Sequence, residues 1–188
     1  MKNNGHAAVL LNGAFENHIA APPYRKSRGL VFLEIIADTF PVKKFADIFL
    51  NNIEPFTLIL FGDGKLYESR WNGTNKFITE LDSNTPHIWS SATLYDAGTI
   101  KKRAQWFTDW LVKNPYPSQQ QVLFFHQFAG DGDSANSLHI NRKGIMLTVS
   151  VTSMSMQNDK AVMRYLDLKN KNIHEQQMKL HSQFQAIY

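Results

Sequence analysis

The sequence predicts an α+β protein built on antiparallel sheet, and three observations lead to that class. Two Asx-Gly pairs, Asp63-Gly64 and Asn72-Gly73, separate three short strand-like runs, which is the strongest local signal of a meander. On either side of the meander, apolar residues recur at spacings of three and four, the helical period. Toward the C-terminus the period returns to two, in alternating runs joined by Gln157-Asn158-Asp159.

Residues 7–11 (AAVLL) read as one buried strand, closed at Asn12-Gly13, where glycine permits a sharp turn and Asn presents a polar side chain. Pro22-Pro23 and the basic residues Arg25, Lys26 and Arg28 follow as a stiffened loop. Leu30, Leu33, Ile36 and Ala37 then mark the apolar stripe of a helix. Pro41 opens a second helix bearing Phe45, Ile48 and Phe49, and Glu54-Pro55 ends it. Residues 56–61, 66–71 and 77–81 form the meander, and 86–91 (PHIWSS) read as a further strand. A helix over 99–113 places Ala104, Phe107, Trp110 and Leu111 on one stripe. After Pro115-Tyr116-Pro117, Ser118 is a good N-cap for a helix over 119–128. Residues 130–137 are a polar loop, 145–154 and 161–168 are strands, and the polar tail from 170 ends in a loose helix over 174–184. The economical organisation is one domain, 1–169, with a polar tail, 170–188.

With 188 residues and 43% apolar content, the chain can bury a substantial core. Its net charge of +4 comes from 20 basic and 16 acidic residues spread along the sequence. The longest basic stretches, 25–28 and 101–103, are too short for a nucleic-acid stripe. The absence of cysteine excludes disulfides, thiolate metal sites and a cysteine nucleophile in this chain. No apolar run approaches the roughly 18 residues of a membrane span. A lone lysine before a short apolar run makes a poor signal peptide, so a cytoplasmic protein is expected.

Most chemical motifs fail in detail. An EF-hand loop started at Asp131 would need Gly at its sixth place and Glu at its twelfth, where Asn136 and Arg142 stand. The seven histidines form no zinc-ligand spacing, and His6, His18 and His87 remain weak ligand candidates. No serine sits in a GxSxG elbow, and no P-loop or GxGxxG occurs. What remains is Asn12 at one strand end, Trp89-Ser90-Ser91 at another, and Arg142 before a late strand. Amides and hydroxyls at strand ends can build an oxyanion hole, and arginine can hold a carboxylate bidentately.

With those residues in view, the chain resembles the NRDE family, which includes the transport and Golgi organisation protein homologues. The similarity lies in AAVLLNGAFENH…PPYRKSRGL, PHIWSSATLYDAGTIKKRAQWF and NRKGIMLTVSVTSM. It implies an N-terminal-nucleophile-hydrolase-like sandwich of antiparallel sheets covered by helical layers. In related amidohydrolases an N-terminal cysteine attacks an amide while Asn side chains hold the oxyanion. Within the NRDE family the implied roles run toward haem handling, transport and secretory-pathway organisation. This chain has neither the Met-Cys start nor the Asn-Arg-Asp-Glu signature; Asn12 matches the first oxyanion Asn, Ser91 replaces the second, and Arg142 matches the late arginine.

The expectation is therefore an Ntn-like sandwich lacking its first strands, and a non-catalytic protein that binds a hydrophobic or anionic ligand, haem first. Asn12, Arg25, Arg28, Trp89, Ser91 and Arg142 would bound its pocket, with no metal ligand among them. The alternative is a cysteine amidohydrolase whose nucleophile lies upstream. An uncovered sheet edge would also invite pairing into a homodimer.

Overall fold

A computed structural model describes residues 1–181 and divides the chain into two compact units, His6–Ile100 and Met1–Gly5 with Lys101–Tyr188. Helices and antiparallel sheets are both well represented, so the α+β class holds.

In the first unit, β1 (Ala7–Asn12), β2 (Phe56–Gly62), β3 (Lys65–Trp71) and β4 (Lys76–Leu81) form a four-stranded sheet in that order. The two Asx-Gly turns lie where the sequence places them, with Asp63 and Gly64 both at positive φ (54° and 74°). Register puts Leu10 opposite Leu58 and Phe56 opposite Trp71, so these apolar side chains share one face. Against that face pack α1 (Arg28–Ala37) and α2 (Pro41–Asp47), closing a core of Val31, Ile35, Phe45, Phe56, Leu58 and Trp71. The Trp71 indole N–H donates to the Ile53 carbonyl at 2.8 Å, so its one polar atom is satisfied in the core.

Two expectations for this unit need correction. Leu30 and Leu33 are each 56% exposed, while Val31 and Ile35 are buried. Val31 and Ile35 pack into the core over the sheet, and Arg28 in the first turn of α1 bonds to Pro55 and Glu54 at the same end. Residues 86–91 are not a strand. Pro86 has no N–H to give a ladder. The segment is held by side chains instead: His87 Nε2 at 2.8 Å from the Asp82 carbonyl, and Trp89 on Glu68.

In the second unit, α3 (Ala97–Lys113), which starts at the end of the first, and α4 (Gln119–Phe128) meet through aromatic rings. Phe125 lies 4.8 Å from Trp110 and 5.6 Å from Phe107, centroid to centroid. Ser118 caps α4 as expected, and Gln121 completes a reciprocal capping box. A short hairpin of β5 (Asn141–Arg142) and β6 (Met146–Leu147) precedes the three-stranded sheet β7 (Ser150–Gln157), β8 (Lys160–Asp167) and β9 (Asn172–Lys179).

Here too the structure corrects the sequence reading. Residues 145–154 are not one strand, because Lys143 and Gly144 turn at positive φ and fold 146–147 back onto 141–142. The tail over 174–179 is strand rather than helix. Asp167 accepts from the backbone N–H groups of Lys169 and Asn170, and Lys171 takes positive φ, so the chain reverses and pairs with β8. The rest of the expected helix, 182–184, lies outside the described residues.

Candidate functional site

The loop before α1 and the end of β1 meet to form a cleft of about 450 Å³ in the first unit. Leu10, Asn12, Tyr24, Lys26, Arg28 and Glu54 line it, together with Ser27 and Gly29. Strand pairing explains why Asn12 is here, since it closes β1 opposite Phe56, two residues after Glu54. Gly13 then bonds from its N–H to the Pro55 carbonyl at 3.1 Å, tying the end of β1 to the residue before β2.

The helix contributes through its first turn. Ser27 caps α1 by accepting from the Leu30 N–H, and Val31 donates to the Ser27 carbonyl. The Arg28 and Gly29 amides thus stand at the positive end of the helix without an intrahelical acceptor. Gly29 has no side chain, and an added Cβ would meet nothing closer than Ser27 Oγ at 4.0 Å. The cleft is thus lined by the first residues of a helix, a favourable setting for an anion.

The charged side chains are paired among themselves. Arg28 Nη2 lies 3.1 Å from Glu54 Oε2, and His18 Nε2 lies 3.1 Å from Glu54 Oε1. Arg28 Nη1 also donates to the Pro55 carbonyl at 3.3 Å. Lys26 Nζ sits 2.7 Å from Glu34 Oε2, with Lys44 on the other oxygen at 3.2 Å. The bond from Lys26, then that from Lys44, holds the Glu34 carboxyl below its ordinary value. Counting Lys26, Lys44 and Arg28 against Glu34 and Glu54, this cluster keeps a net positive charge. Leu10 and the Tyr24 ring make the remainder of the lining less polar.

Of the six residues expected from the sequence, Asn12 and Arg28 come together in this cleft. Ser91 is buried and adjoins Asn12, but its hydroxyl donates to the Asn12 main-chain carbonyl at 2.8 Å, which makes it a support of the strand end. Trp89 lies over the other sheet face, where its indole donates to Glu68 Oε2 at 2.7 Å. Arg25 donates to the Phe49 carbonyl at 2.7 Å and lies over the Phe49 ring, fastening the loop after α2. Arg142 belongs to the second unit, where its Nε donates to the Ala135 carbonyl at 2.9 Å. The sequence does not mark Glu54, Lys26 or Tyr24 as site residues, and Glu54-Pro55 carries only a helix-end signal; His18, a weak ligand candidate from the sequence, reaches the cleft only through its bond to Glu54.

His6 Nε2 stands 3.5 Å from Asp63 Oδ1, and His87 stacks on Trp89 at 5.5 Å. Among the described residues, no three His, Asp or Glu side chains are grouped to hold a metal ion, and no helix is long and apolar enough to cross a membrane. Compared with known proteins, the chain matches no family model, no curated protein and no solved structure.

Proposed function

We propose that the first unit binds a small amphipathic anion, bearing a carboxylate or phosphate, with its charged end at the start of α1. The observation behind this reading is the convergence of Arg28 and the first turn of α1 in one cleft, beside the exposed Asn12. Arginine and helix-start amides are together suited to a planar or tetrahedral oxyanion, and Leu10 with Tyr24 offers contact to an apolar body. A cleft of about 450 Å³ falls in the usual range for small-molecule sites. This is a binding role of the kind that resemblance to the NRDE family implies, and haem, through its propionates, is the first ligand to try. His18, whose buried Nδ1 has no hydrogen-bond partner, is the imidazole bonded to the cleft carboxylate.

Titration with haem followed at the Soret band, and with octyl phosphate followed calorimetrically, tests the proposal. One saturable site is expected for at least one probe, weakened about tenfold or more by Arg28→Met, on the scale of a lost charge-assisted hydrogen bond. Failure of both probes to saturate, or equal affinity in the variant, would remove it.

A further inference from the structure

The sheet β7-β8-β9 in the second unit divides its residues in an unusual way. On one face Val151 lies in register with Leu166 and Ile173, and Ser153 accepts from Gln119 of α4 at 3.1 Å. Lys160, Arg164 and Lys179 alternate onto that same face. The opposite face carries Met154, Met156, Met163 and Met178, and no lysine or arginine of the three strands points there.

Register brings Met154, Met156 and Met163 into one group, with Met178 a strand further across the sheet. Met154 is directly opposite Met163, and in the adjoining row Ala161 sits between Met156 and Met178. Met154 and Met163 are directly opposed, with Cβ atoms about 5 Å apart, and Met156 is a diagonal neighbour of Met163 at about 7–8 Å, within reach of an unbranched side chain with three rotatable bonds. Ala161 is fully buried between its two longer flanks, while Met163 remains 37% exposed. The group is therefore close-set yet reachable from solvent.

We propose that this face binds one soft monovalent cation of the Cu(I) class through the thioethers of Met154, Met156 and Met163. Thioether sulfur prefers Cu(I) over the hard cations. A neutral ligand set suits a face from which the sheet's fixed cations are turned away. The chain has no cysteine, so no thiolate competes for the ion. Packing alone would be served by branched residues, which these same strands use on the α4 face at Val151, Val162 and Ile173.

The test uses the full chain with methionine ε-methyl groups labelled with carbon-13, titrated with Ag(I) in chloride-free buffer at about pH 5.5. That is below the ordinary imidazole value of about 6.5, so histidine sites are weakened while thioethers are unaffected. At one equivalent, the resonances of Met154, Met156 and Met163 are expected to shift while Met1 and Met146 do not. Anaerobic Cu(I) competition against bicinchoninate should show one site, weakened at least tenfold by Met154→Leu with Met163→Leu, a volume-conserving change. Absence of shifts, shifts at Met1 or Met146 alone, or undiminished binding by the folded double variant would overturn the proposal. If that variant does not fold, the wild-type resonance pattern decides.

Discussion

Arg28 Nη2 and Glu54 Oε2 stand 3.1 Å apart in the wall of the cleft, with His18 on the second carboxylate oxygen at the same distance. The carboxylate occupies part of the guanidinium's donor fork, so it competes with any anionic ligand for Arg28 while holding Arg28 in place. Glu54→Gln is therefore expected to raise affinity for octyl phosphate about three- to tenfold. Losing this part-buried pair should lower stability by about 1 kcal/mol. Calorimetry and denaturant unfolding of the one variant measure both effects.

Gly13 is required twice over. Its φ is +80°, and an added Cβ would lie 3.0 Å from Thr93 Cγ2, 3.1 Å from Ala92 Cβ and 3.2 Å from the Thr93 backbone nitrogen. Strained backbone and crowding together make Gly13→Ala cost about 2–4 kcal/mol. Thermal unfolding of the variant should show a clear drop in Tm, and an unchanged Tm would mean that the 92–93 segment yields easily.

Ser69 sits in the core face between Tyr67 and Trp71, fully buried, and its Oγ has no hydrogen-bond partner. Removing an unsatisfied hydroxyl returns its desolvation cost, so Ser69→Ala is expected to be neutral or to stabilise by up to about 1 kcal/mol. Equilibrium denaturation provides the check; a loss beyond 1 kcal/mol would contradict this reading of the core.

Glu68 supplies a pH dependence. The Arg70 guanidinium holds its carboxyl below the ordinary 4.5, opposed by burial and assisted by the Trp89 indole. As pH falls, the unfolded chain takes up the proton first, so the stability this group contributes is complete above about pH 4.5 and is lost as pH drops through the lower folded value. Glu68→Gln should flatten part of the fall in Tm below pH 4.5 relative to the parent chain. Parallel profiles would show that the pair contributes no linkage.

Much of this fold was legible because its signals are local. Asp63-Gly64 and Asn72-Gly73 dictate their own backbone geometry, and Ser118 caps the helix that follows it within three residues. What escaped the sequence depends on contacts far along the chain. Trp89 is anchored by a carboxylate 21 residues away, so 86–91 reads as strand by composition yet pairs with nothing in the ladder. The apolar pattern of α1 fits more than one stripe, and packing against Phe45, Phe56 and Leu58, far along the chain, places the 31/35 face inside. Asn12 and Arg28 were readable as polar residues at element ends. Glu54 joined them only through the pairing of β1 with β2.

The most direct measurement is an amide chemical-shift titration of the full chain with octyl phosphate. Saturable shifts are expected, concentrated at Arg28 and Gly29 in the first turn of α1, with smaller ones at Asn12 and Lys26. Shifts that do not saturate, or that saturate while leaving Arg28 and Gly29 unmoved, would contradict the assignment of this cleft as an anion site.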